Sequence, residues 1–74
     1  MSDQRDKLAN DFLEIARELT EAAKHAEVAA KHFSNKDIPR ACAHSSAVQG
    51  HIEAVEILIR EFHLIHRKFA RNEP

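Results

Sequence analysis

Six of the 74 residues are histidines, and four of these fall in pairs seven residues apart. Ala22-Ala23-Lys24-His25 recurs as Ala29-Ala30-Lys31-His32, and His44 and His51 repeat the same interval. Neutral imidazole is a common ligand for Zn or Cu, so a metal site is the first chemistry to weigh. The interval is wrong for a local site. Ligands on one helix meet at three or four residues, whereas seven residues span about 10 Å. The chain has no His-Glu-x-x-His and no Glu-x-x-His, the signatures that hold metals on helices and in bundles. His63 and His66 have local spacing, and Glu61 adds a carboxylate only from another face. The histidines are therefore expected to cover a helix seam and hydrogen-bond across it, with no metal or other cofactor.

Nucleophilic chemistry has less support. Cys42 precedes His44 by two residues, and side chains two apart on a helix point to different sides. No Gly-rich phosphate loop is present. The segment Arg60-Glu61-Phe62-His63-Leu64-Ile65-His66 resembles the R-x(4–6)-H pattern of the HEPN ribonucleases, over seven residues of 74. That resemblance implies RNA cleavage at a helical dimer interface. Against it, about one such match is expected by chance among this many Arg and His, and His66 falls on an apolar seam. The chain is read as a non-enzyme.

The elements that must carry these residues are plain in the composition. Alanine is the commonest type, with one Gly, two Pro, one Cys and no Trp or Tyr. Nothing interrupts helix except Ser34-Asn35-Lys36-Asp37-Ile38-Pro39, where Asp37 suits an N-cap and Pro39 a first helical turn. Ser2 or Asp3 can cap the front, and Arg67, Lys68 and Arg71 suit the final turn. The expectation is all-α: one domain, 1–74, forming an antiparallel two-helix hairpin with helices at about 3–33 and 38–71.

Apolar residues follow a heptad. In the first helix they run Leu8, Phe12, Ile15, Leu19, Ala22, Ala26, Ala29, Phe33, beside an all-alanine row Ala9, Ala16, Ala23, Ala30. In the second they run Ile38, Ala41, Ser45, Val48, Ile52, Val55, Ile59, Phe62, His66, Phe69, beside His44, His51, Leu58, Ile65. A seam plus a flanking row is wider than a two-stranded coiled coil needs. Each helix is built to touch two neighbours, which two hairpins supply as a four-helix homodimer. Residues 41–52 carry no formal charge. With Gly50, which costs about 1 kcal/mol in a helix relative to Ala, they suggest close packing through Ala43, Ala47, Gly50 and Ala54. Phe62, His66 and Phe69 complete the expected interface. Folding about residues 36–37 places the histidines in the height order His32, His44, His25, His51. It also brings Leu13, Ile57 and Leu64, apolar residues among charged ones, to one level as a candidate patch for another protein.

A net charge of −1 argues against nucleic acid. Architecturally such a bundle resembles the plasmid copy-number regulators that bind RNA loops. The basic row Arg17, Lys24, Lys31, however, stands in ion-pair register with Glu14, Glu21 and Glu27. No segment spans a bilayer and no secretory signal is visible, so a cytoplasmic protein is expected. The reading is an adaptor or regulator working through protein contact, with an RNA-binding or metal-responsive bundle as the alternative.

Overall fold

The structure, a computed structural model, describes the backbone of residues 2–72 and the side chains of 4–67. The proposed caps Ser2 and Asp3, the last-turn residues Lys68 and Arg71, and the seam residue Phe69 lie outside the described side chains. Two helices, α1 (Ser2–Ser34) and α2 (Ile38–Asn72), pack side by side in a body 57 × 19 × 14 Å. Both fall within one residue of the expected bounds at each end. No helix among the described residues is long and apolar enough to cross a membrane.

The turn is a Schellman cap running straight into an N-cap. The Asp37 N–H donates to the His32 carbonyl at 2.8 Å and the Lys36 N–H to the Phe33 carbonyl at 3.0 Å. That geometry puts Lys36 in the left-handed region, at φ 62°. Glycine is the usual occupant there, because a Cβ carries a cost of roughly 1 kcal/mol. Asp37 then starts α2: its carbonyl accepts from Ala41 N–H at 3.1 Å and its Oδ1 from Arg40 N–H at 3.5 Å. Pro39 occupies the first turn, where no N–H is needed.

The buried residues are Ile15, Ala22 and Ala29 of α1 with Ala41 and Val55 of α2. They belong to one heptad row on each helix, as the periodicity requires. On α1 the second row of the seam is not the one the apolar pattern suggests. On α2 it is the flanking row His44, His51, Leu58, Ile65 of the sequence reading, with the seam residue Ile52 also half-buried. Half-buried beside the buried row are Asp11, Glu18, His25 and His32 on α1, and His44, His51, Leu58 and Ile65 on α2. Phe12, Leu19 and Phe33 remain 45–47% exposed on the other side, with Ile38 at 50% and Ile59 at 36%. The hairpin closes on its histidine row and leaves much of its apolar row uncovered.

Candidate functional site

The histidine row is assembled from both helices. His25 and His32, one heptad apart on α1, interleave with His44 and His51 on α2 because the short turn holds the helices antiparallel. The rings stack in the order the folding arithmetic gives. His32 lies 5.5 Å from His44, His44 lies 5.4 Å from His25, and His25 lies 5.4 Å from His51, all centroid to centroid with interplanar angles of 19–33°. Within the stack, His25 Nδ1 and His44 Nδ1 are 3.1 Å apart. A hydrogen bond at this distance requires one of the two nitrogens to donate and the other to accept.

Glu18 ends the ladder. Its Oε2 accepts a hydrogen bond from His51 Nδ1 at 2.5 Å, and Arg17 approaches its other oxygen at 3.8 Å. The Glu18 side chain is only 16% exposed. The hydrogen bond from His51 holds its carboxyl below the ordinary value of 4.5. Desolvation works against that shift, while the charges of His51 and Arg17 reinforce it. A carboxyl lowered on folding binds more protons when unfolded. Its contribution is therefore present above about pH 4.5 and is lost as pH falls through the folded value. Melting temperatures from pH 6.5 to 2.5 should show Glu18→Gln less stable than the native chain above pH 5, with the gap closing below pH 4. A gap that stays constant across the series would mean that the carboxylate charge plays no part. The link between Glu18 and His51 crosses 33 positions in sequence, and no local signal announces it.

Among the described residues no three metal-ligating groups converge. His25 and His44 turn their Nδ1 atoms toward each other, while His51 is turned to Glu18. Cys42 is exposed and apart from the half-buried His44, so the two form no dyad. Arg60 and His66 are both exposed, with the His66 ring stacked on Phe62 at 5.8 Å. Of the basic row, Arg17 pairs with Glu14 and Lys24 with Glu21, the latter at 3.5 Å. Those charges are neutralised on their own helix.

The expected packing residues differ in burial within the hairpin. Ala47, Ala54 and Phe62 are half-buried, Ala43, Gly50 and His66 are exposed, and Phe69 is outside the described side chains. Inside the hairpin Gly50 has no close neighbour; a Cβ there meets nothing within 4 Å. Any close approach at Gly50 must involve another molecule. Leu13, Ile57 and Leu64 are all exposed. The heptad register sets Glu14 and Arg17 on α1 and Glu61 on α2 between Leu13 and the other two.

The opposite side of the buried row forms a groove. Ala26, Ala29, Ala30 and Phe33 line it from α1, and Ser45 and Val48 from α2, around a volume of about 350 Å³. The Ser45 hydroxyl donates to the Ala41 carbonyl at 2.9 Å, so this polar group is satisfied within its own helix. Farther from the turn the same side carries Leu19 and Phe12, and the Phe12 ring meets Phe62 edge-on at 5.2 Å. The chain matches no protein-family model, no curated protein and no solved structure.

Proposed function

We propose that this chain is a small non-enzymatic protein that pairs with a second copy as a four-helix bundle. On this reading it acts in the cytoplasm as an adaptor or regulator through protein–protein contact. The observation that carries the reading is the uncovered apolar side of the hairpin: Phe12, Leu19, Phe33, Ile38 and Ile59, each at least 36% exposed, on one side of a single seam. Scattered apolar residues need no explanation, but five aligned beside the core ask for a cover. Total exposure agrees. The chain leaves 5862 Å² accessible, whereas a folded monomer of 8.4 kDa exposes about 4,600 Å². That difference exceeds the roughly 800 Å² that a standard interface takes from each partner. Ile57 and Leu64 on α2 and, across the charged residues between, Leu13 on α1 remain exposed for a further protein.

Sedimentation equilibrium at micromolar concentration tests the pairing. The expected mass is twice 8.4 kDa, and Leu19→Glu should halve it while Gly50→Leu should leave it unchanged. The reverse pattern would move the interface to the Ala43–Ala47–Gly50–Ala54 stripe. A folded, helical native monomer would overturn the reading.

A further inference from the structure

Residue size along the apolar side is strongly graded, and the gradient distinguishes the two ways in which hairpins can pair. At 1.5 Å per residue, Ala29 lies about 10 Å from the turn and Val48 about 15 Å, so the groove is centred at that level. Phe12 and Phe62 each lie about 36 Å from the turn, and their ring contact shows that they share one level. Helices of 33 and 35 residues are about 50 Å long. When two such hairpins overlap fully with turns at opposite ends, the groove of one faces a level about 35–40 Å from the turn of the other. Phe12 stands at that level. With turns at the same end, groove would face groove across a void, and the Phe12–Phe62 pairs would collide.

Resting on the homodimer reading, we infer that the second copy docks antiparallel and seats its Phe12 ring in the groove lined by Ala26, Ala29, Ala30, Ser45 and Val48. Two such insertions occur, related by the dimer twofold. An apolar cavity of roughly 150 Å³ already accepts a benzene ring, so the volume of about 350 Å³ takes the phenyl group and part of its helix. Leu19, about 26 Å from the turn, falls near mid-height and meets its own counterpart beside the twofold axis. The walls that approach most closely are alanine and serine, which let the partner helix come near.

The register makes a specific swap possible. Phe12→Ala removes the ring, and Ala26→Phe fills the groove from within. Mixed together, these two variants leave one groove occupied by a native Phe12 and the other by the new ring. Antiparallel docking therefore predicts a heterodimer fraction well above the statistical one-half by native mass spectrometry. A fraction at or below one-half overturns the orientation. Pulsed dipolar spectroscopy on Ser34→Cys, spin-labelled in a Cys42→Ser background, reads the orientation without touching the groove. Labels about 45 Å apart, near the helix length, are expected. A separation of roughly 20 Å, two helix diameters, means turns side by side and overturns the proposal. No dipolar coupling together with a monomer mass overturns the homodimer reading itself.

Discussion

Ile15→Ala is expected to cost about 2–4 kcal/mol, the range for truncating a buried branched side chain, with the higher helix propensity of alanine keeping it off the upper end. The reason is the thinness of the core. Among the described residues five apolar ones are buried; three are alanines, and Ile15 and Val55 alone carry branched side chains. Alanine has nothing to reach across a void, so the space left by the lost methyls stays open. A chain of this length has a net stability of about 4–11 kcal/mol, so the loss is a large fraction of the whole. Denaturant titration followed by far-UV circular dichroism, at one fixed concentration because assembly shifts apparent stability, measures it. Ile57→Ala, at an exposed position, should stay within about 0.5 kcal/mol of native. Equal effects from the two substitutions would mean that the hairpin seam does not hold the fold.

The second large effect is a gain. His25 and His44 occupy half-buried seam positions, tied to each other by the Nδ1 contact at 3.1 Å. Removing one leaves the other partly desolvated without its partner, which costs about 1 kcal/mol or more. Replacing both with leucine removes that problem and adds apolar area to the seam. For half-buried positions the pair should raise stability by about 1–2 kcal/mol. The double variant should therefore exceed the native chain, and each single variant should fall below the average of the two. This non-additivity is the signature of a direct pair. Additive single effects would reduce the contact to incidental proximity. A gain in the double variant would also show that the ladder is not present because stability requires it.

A good deal of this architecture is legible in the residues alone. Helix follows from abundant alanine and the scarcity of Gly and Pro; the turn follows from Asp37 and Pro39, because an N-cap and a first-turn proline act over three or four residues. The ladder order His32, His44, His25, His51 follows from the place of the turn and a fixed rise per residue. The row of α1 that closes the hairpin does not follow, although its α2 counterpart His44, His51, Leu58, Ile65 stands beside the seam in the sequence pattern. On α1, Asp11, Glu18, His25 and His32 and, on the other side, Phe12, Leu19, Ala26 and Phe33 flank the same buried row at similar angles and share its period of seven. Periodicity cannot separate them, and hydrophobicity favours the second set. Only the rotation of each helix about its axis, fixed by the Lys36–Asp37 cap and by the fit of Ala41, at 0% exposure, against α1, puts the histidines inside and the phenylalanines at the open side. The Glu18–His51 bond likewise depends on two residues far apart in sequence meeting at one height and one face. Local propensity determined the elements. Their rotation against each other, a property of both helices packed together, decided which side faces the seam.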